Sequence, residues 1–172
     1  MPLPRRTPIG FTCPMQDQLT LTLLRVDDAE AMVSVLADPA LYAFTGGEPP
    51  DLASLRRLYA HQVTGASPDG SQRWFNWIVR VDGEAVGYVQ ATVEDEVAEL
   101  AWVIGAPWQG RGLATRAARL MLHEFVGRVR LLRAHIHPDH HASNRIATGL
   151  GLRPTGAFED GEAVWEGLLE RA

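Results

Sequence analysis

The sequence predicts a mixed α/β (α+β) fold, in which helices pack on a mostly antiparallel sheet. Apolar residues recur at helical spacing early in the chain, alternate with polar residues from Trp74 to Ile104, and return to helical spacing after residue 112. The 172 residues suffice for one domain. We expect that domain to span residues 19–172, after an N-terminal extension, residues 1–18, in which disorder is possible.

The predicted element order is β-α-α-β-β-β-α-β-α-β-β. Leu19–Leu24 is the first strand. Asp27 or Asp28, and later Asp51, can begin the first two helices, because an aspartate oxygen accepts the unpaired N–H groups at a helix start.

Three strands then form a meander. Asp82-Gly83 is typical of a hairpin turn, and Glu94-Asp95-Glu96 makes a second tight connection into the strand Val97–Ile104. After a glycine-rich loop and a long helix, the chain closes with a strand, a short helix and a hairpin, predicted at Leu132–Ile136, Ala142–Gly149, Thr155–Phe158 and Ala163–Leu169.

Composition excludes several classes of protein. A formal net charge of −5 argues against a nucleic-acid binder, and no apolar run approaches the roughly 20 residues that span a bilayer. The single cysteine, Cys13, has no internal partner for a disulfide. The first 18 residues lack the apolar stretch of a secretion signal, so we expect a cytoplasmic protein with no membrane and no nucleic-acid partner.

The loop from Gly105 to Gly112 precedes a helix and suits an anion. Unpaired N–H groups and the helix dipole converge at such a helix start. Gly110 and Gly112 let the backbone approach an anion closely, and Arg111 and Arg116 can add charge. The alternative is an ordinary helix start with turn glycines and no ligand.

Two nucleotide-binding motifs fit this loop poorly. Gly105-x-x-x-x-Gly110 begins like a P-loop, but Arg111-Gly112 follows where Lys and Ser or Thr are needed. A dinucleotide fingerprint requires a third glycine and a parallel βαβ unit.

The segment Gln109-Gly110-Arg111-Gly112-Leu113-Ala114 resembles the Gln/Arg-x-x-Gly-x-Gly/Ala signature of the GNAT superfamily, the acetyl-CoA-dependent N-acyltransferases. Ala142-Ser143-x-Arg145-Ile146, followed by Leu150-Gly151-Leu152, resembles a second signature, found in the branch with ribosomal-protein N-terminal acetyltransferases. That branch usually has Asn where this chain has His140. The resemblance covers nearly the whole chain after residue 18 and implies a GNAT-like three-layer fold, with its sheet splayed around the acetyl-CoA site.

The resemblance also implies how acetyl-CoA binds. Backbone groups of the strand before the loop would hold the pantetheine arm, and the loop with the first helical turn would hold the pyrophosphate. The cofactor-binding residues are therefore expected to be Trp102, Ile104, Gln109, Gly110, Arg111, Gly112, Leu113, Ala114 and Thr115.

Glu99 is the candidate base, because the resembling branch carries Glu at this spacing and a carboxylate can accept a proton through water. Strict alternation places Glu99 on the strand face opposite Trp102 and Ile104, unless a β-bulge re-aims one of them. A solvated or salt-bridged glutamate is the alternative. Acidic residues of the final hairpin are rival candidates: Glu159, Asp160 and Glu162.

Ser143 lies where the resembling branch places a hydroxyl near the thioester sulfur. It could protonate the departing thiolate, whose reference pKa is about 8.5. It could instead cap a helix over Asn144–Gly149, and both roles are compatible. A backbone N–H near Ile104 would meet the oxyanion.

Five residues, His135, His137, Asp139, His140 and His141, invite a zinc hypothesis. Pro138 and the absence of helical H-x-x-x-H spacing weaken it, so no metal site is predicted. We expect these residues to flank the acceptor cleft.

The predicted function is transfer of an acetyl group from acetyl-CoA to a primary amine, on a small molecule or a protein N-terminus, by direct attack. The protein is expected to be a monomer or a homodimer. The alternatives are a non-catalytic acyl-CoA-binding sensor or interaction module, and a phosphate-binding scaffold unrelated to CoA.

Overall fold

The computed structural model describes residues 17–169. Most of the predicted N-terminal extension, including Cys13, lies outside the described residues. Seven strands and four α-helices occur within them, in the predicted order: β1 Leu19–Leu23, α1 Ala29–Val35, α2 Leu52–Gln62, β2 Arg73–Val81, β3 Glu84–Glu94, β4 Val97–Ile104, α3 Leu113–His123, β5 Leu131–Ile136, α4 His141–Gly149, β6 Arg153–Glu159 and β7 Glu162–Leu168.

The strands form one sheet in the order β1-β2-β3-β4-β5-β7-β6. Every neighbouring pair is antiparallel except β4 and β5, which are parallel. This mixed sheet confirms the predicted fold class. No helix within residues 17–169 is both long and apolar enough to cross a bilayer.

Two hydrophobic cores cover the two faces of the sheet and make three layers. One core packs Leu113 and Met121 of α3 and Ala147 of α4 against the sheet. The other packs Met32 of α1 and Leu55 of α2 against the opposite face. The predicted alternation in β4 holds, since its even-numbered residues from Ala98 to Ile104 join the α3 core while Val103 faces the α1 core.

The sheet is splayed between β4 and β5. These strands pair at only three positions, ending at Glu99 opposite Arg133, although β4 continues to Ile104 and β5 to Ile136. Beyond Glu99 the two strands share no ladder. The two strands therefore diverge and leave a gap between them.

Local sequence signals explain the elements that frame this gap. The Asp51 side chain accepts the N–H of Ser54 at 2.7 Å and starts α2. Asp82 and Gly83, both with positive φ, form the β2–β3 hairpin, which matches the preference of such turns for left-handed residues. The register of β4 against β3 is continuous, so the bulge considered for β4 is absent from this pairing. Irregularities occur instead between Val79 and Arg80 of β2 and between Pro154 and Phe158 of β6.

Candidate active site

The glycine-rich loop meets α3 beside the open end of the gap. Gly110 and Gly112 have φ values of +76° and +71°, in the left-handed region that side chains rarely adopt. A Cβ atom on either glycine would meet nothing within 4 Å, so the space above the loop is open. The two glycines are therefore required by the backbone path and leave room for a ligand.

The N–H groups of this loop are available to an anion. Gln109 N–H donates to the Ala106 carbonyl at 3.3 Å, and Arg116 N–H donates to the Gly112 carbonyl at 3.1 Å. Within residues 17–169, none of the N–H groups from Gly110 to Thr115 donates to a protein acceptor, and no side chain caps α3. These donors at a helix N-terminus suit a diphosphate.

The side chains of the loop contact other parts of the protein and fix the conformation of the loop. Leu113 and Ala114 are buried in the α3 core, so only their backbone is available. Gln109 Nε2 donates to the Ile104 carbonyl at 2.9 Å and ties the loop to the end of β4. Arg111 pairs with the Asp17 carboxylate, which partly neutralises its charge. Binding of an anion here would depend mainly on the backbone.

Backbone groups of β4 face the gap as well. Gly105 N–H donates to the Val86 carbonyl in β3, whereas the Glu96 carbonyl accepts from Leu131 in β5. Because bonding direction alternates along a strand, the even-numbered residue Trp102 directs its N–H and C=O toward the gap. Ile104 does the same, although its carbonyl is already taken by Gln109.

A cavity of about 430 Å³ lies on the other face of the sheet, under α2 and the α1–α2 connection. It extends through the gap to Trp102 and Ser143. His135, His137 and His140 line it, whereas Asp139 and His141, which were also expected beside the acceptor cleft, do not. The loop and the cavity therefore approach the gap from opposite faces.

The hydroxyl of Ser143 is held by two neighbours. Its Oγ lies 3.2 Å from Trp102 Nε1 and 3.3 Å from His140 Nε2, and Ser143 N–H donates to His140 Nδ1 at 3.3 Å. A neutral imidazole carries one proton, so accepting at Nδ1 places that proton on Nε2, which then donates to Ser143. Burial lowers the pKa of His140, which favours the neutral ring. With both lone pairs occupied, the Ser143 hydroxyl proton is free to donate to a ligand.

The cap predicted for Ser143 is wrong. α4 begins at His141, and His140 is the capping residue whose ring accepts the N–H of Ser143. Ser143 lies in the first turn, three residues after the cap. An imidazole nitrogen here does what a side-chain oxygen usually does at a helix start.

The side chain of Glu99 lies on the face of β4 that does not carry Trp102, as the alternation predicts. Ala101 and Val103 share the face of Glu99, and both line the cavity. Glu99 Oε1 lies 3.1 Å from His135 Nδ1, and Glu159 Oε2 lies 3.1 Å from Nε2 of the same ring. His135 lines the cavity, whereas Glu99 does not. The His135 ring therefore lies in the cavity wall and contacts the carboxylates of Glu99 and Glu159.

The rival acids of the final hairpin separate in space. Glu162 lines the cavity, Glu159 contacts His135, and Asp160 lies in the β6–β7 turn with a φ of +48°. Sequence reasoning missed the pairing of His135 with Glu99 and Glu159, since these residues come from three separate strands and no spacing links them.

The described residues hold no metal cluster. No group of three or more His, Cys, Asp or Glu side chains in residues 17–169 is arranged to bind a metal ion. His137 instead accepts the N–H of Asp139 at 3.2 Å, and its ring lies 5.3 Å from that of Phe44. His140 is 4.7 Å from the same Phe44 ring.

Three solved structures are similar to this chain over most of its length. The ribosomal L7/L12 alpha-N-protein acetyltransferase RimL in complex with coenzyme A has a TM-score of 0.76 at 15% identity, covering 91% of this chain and 97% of that chain. The aminoglycoside acetyltransferase AAC(6')-Ib in complex with coenzyme A has a TM-score of 0.72 at 19% identity, with 88% and 95% covered. An acetyltransferase from Thermus thermophilus has a TM-score of 0.70 at 25% identity, with 88% and 97% covered.

No curated protein matches the chain in sequence. The family model described as an acetyltransferase (GNAT) domain matches residues 18–153. That match covers well over half of the sequence, and the chain therefore belongs to the GNAT acetyltransferase family.

Proposed function

We propose that the protein transfers the acetyl group of acetyl-CoA to a primary amine, on a small molecule or a protein N-terminus, by direct attack through a tetrahedral intermediate. One observation supports the proposal: a loop with unpaired N–H groups, tied to the end of β4, and a separate cavity both lie beside the gap between β4 and β5. Two substrates can therefore meet there without a covalent enzyme intermediate.

The loop suits the cofactor's pyrophosphate. The N–H groups from Gly110 to Thr115 have no protein acceptor among residues 17–169, and the space above Gly110 and Gly112 is open. The pantetheine arm would bond to the N–H and C=O of Trp102 in β4, which leaves the N–H of Ile104 for the acetyl carbonyl of the same cofactor. Gln109 contributes by fixing the loop to Ile104, and Arg111 would share its charge between Asp17 and a phosphate.

The amine must lose a proton as it attacks, and we assign that proton to Glu99. His135 lies between Glu99 and the cavity, with 3.1 Å between Nδ1 and Oε1. Glu159 contacts the other ring nitrogen, so the ring cannot accept the proton itself, and a water beside it would carry the proton from the amine to the Glu99 carboxylate. The same ring contacts Glu159, which helps to hold it in place. His135 is thus a positioning residue for the base.

The departing thiolate needs a proton, and Ser143 is placed to give it. Trp102 and His140 both donate to its Oγ, so the hydroxyl proton is directed to a ligand. The two bonds stabilise the negative charge that develops on Oγ as the sulfur takes the proton, and a proton from water restores the hydroxyl. The N–H of Ile104 is the candidate donor to the oxyanion.

The test is a screen of amines with detection of released CoA thiol. Peptides, polyamines, aminoglycosides and simple amines are each offered with acetyl-CoA, and the acetylated product is identified by mass spectrometry. We expect thiol release that depends on an amine. Tight CoA binding without turnover across the whole panel would contradict the proposal and favour a non-catalytic binding module. Equal thermal stabilisation by acetyl-CoA, ATP and NAD would contradict the assignment of the loop to CoA.

A further inference from the structure

We propose that the acceptor is a monoamine with an apolar ring system of one or two rings, bound in the cavity with its amine toward His135. This inference rests on the proposed acetyl transfer and names the class of its second substrate.

The walls of the cavity are mainly apolar. α2 and the segment before it contribute Leu36, Leu41, Leu55 and Leu58, and the sheet contributes Trp77 and Val103. Apolar surface favours a ligand body that leaves water on binding. A polyamine chain would lose the hydration of its ammonium groups against these side chains.

The polar groups of the cavity are mostly neutral. Asn76, Gln62 and Gln90 line it together with three tyrosines. Burial raises the pKa of Tyr88 to about 12 and also raises the pKa of Tyr42, so both phenols stay uncharged. Such groups can bond a hydroxyl or carbonyl on a ring but do not balance several positive charges.

Only two carboxylates line the cavity among the described residues, Glu48 and Glu162, and no lining residue is Lys or Arg. Glu48 is exposed and Glu162 is half-buried, so both lie near solvent. One ammonium group can be attracted there before it loses its proton. A polycation would need more buried carboxylates than this cavity has.

The size of the cavity also limits the acceptor. A cavity of roughly 150 Å³ accommodates one benzene ring. The volume here, about 430 Å³, therefore has room for a reacting amine and one or two rings. A molecule of three linked sugar rings would extend beyond this volume into solvent.

Phe44 and two histidines form an aromatic cluster in the lining of the cavity, and Phe44 is partly exposed to solvent. Phe44 is 39% exposed, and its ring lies 5.3 Å from His137 and 4.7 Å from His140. The three rings pack on one another, and the exposed part of Phe44 can stack on a ring of a ligand. This aromatic surface favours a ligand that carries a ring.

The experiment compares 2-phenylethylamine and tryptamine with ethylamine, spermidine, an aminoglycoside and a short peptide, using the full-length chain and acetyl-CoA. Rates are expressed per concentration of neutral amine. Because its ring is buried on binding, 2-phenylethylamine is expected to have a kcat/KM on the order of 100-fold higher than that of ethylamine. Leu58→Glu, at a lining leucine that is 47% exposed, is expected to raise KM for 2-phenylethylamine at least roughly tenfold.

Leu120→Glu is the matched control, because Leu120 is also a helical leucine, 41% exposed, and does not line the cavity. Leu120→Glu should leave the KM values of both 2-phenylethylamine and acetyl-CoA unchanged. Leu58→Glu should raise the KM of the amine but leave the KM of acetyl-CoA unchanged. A higher kcat/KM for spermidine, the aminoglycoside or the peptide than for the arylalkylamines would overturn this inference alone. Coenzyme A binding without turnover of any amine would overturn the proposed transfer, and this inference with it.

Discussion

Replacing Gly112 with alanine tests the phosphate loop most directly. Gly112 has a φ of +71°, and a left-handed conformation costs an L-residue roughly 1–2 kcal/mol. For a chain of this length, that cost lowers Tm by about 2–8 °C. The added methyl group meets no protein atom within 4 Å, so no clash adds to this strain.

Binding of CoA should suffer more than stability. The methyl group would occupy the open space above the loop, where the proposed pyrophosphate accepts the N–H groups. Loss of one charge-assisted hydrogen bond, about 1.5–3 kcal/mol, weakens binding roughly 10- to 150-fold. Gly112→Trp should abolish binding. Titration calorimetry with CoA gives Kd, and a thermal melt gives Tm.

Gly127→Ala provides the matched control. Gly127 has a φ of +79°, its Cβ would also meet nothing within 4 Å, and it lies in the turn after α3. Both variants should lose similar stability, but only Gly112→Ala should lose CoA affinity. Wild-type affinity in Gly112→Ala, or equal loss in Gly127→Ala, would refute the assignment of the loop.

The remaining predictions concern the reacting groups. Glu99→Gln should lower kcat roughly 100-fold with CoA affinity unchanged, measured by thiol release; a wild-type rate would remove Glu99 from the mechanism. Ser143→Ala should lower kcat at least roughly tenfold at constant KM for acetyl-CoA, and an unchanged kcat would exclude Ser143 as the acid. Because burial lowers the pKa of His140, its neutral ring is favoured in the folded state. Stability should fall as the pH drops below the ordinary histidine value of about 6.5, and kcat should fall at a lower pH, where the ring of the folded protein takes up its proton. His140→Asn should remove this dependence from kcat profiles between about pH 5 and 8, and an unchanged acid limb would contradict the assignment. Gln109→Leu should weaken CoA binding and lower Tm, since the bond to Ile104 contributes about 0.5–1.5 kcal/mol; no change in either would mean that the loop holds its shape without it.

Features that depend on a few neighbouring residues were predictable. The hairpin at Asp82-Gly83, the Asp51 cap and the glycine loop all follow from local conformational preferences and local hydrogen bonds. The alternation in Val97–Ile104 likewise assigned each strand face correctly. Even locally, His140 was not expected to cap α4, because imidazole is an uncommon capping group.

The sequence by itself determined the order of the elements, the family and the loop that suits a pyrophosphate, because each is encoded in contiguous residues. Only the tertiary structure decided which side chains meet. Glu99, His135 and Glu159 come from β4, β5 and β6, and the sheet order brings them together. The cavity, too, exists only where α2 covers the splayed strands. Contacts between distant segments depend on register and packing, and no local pattern records them.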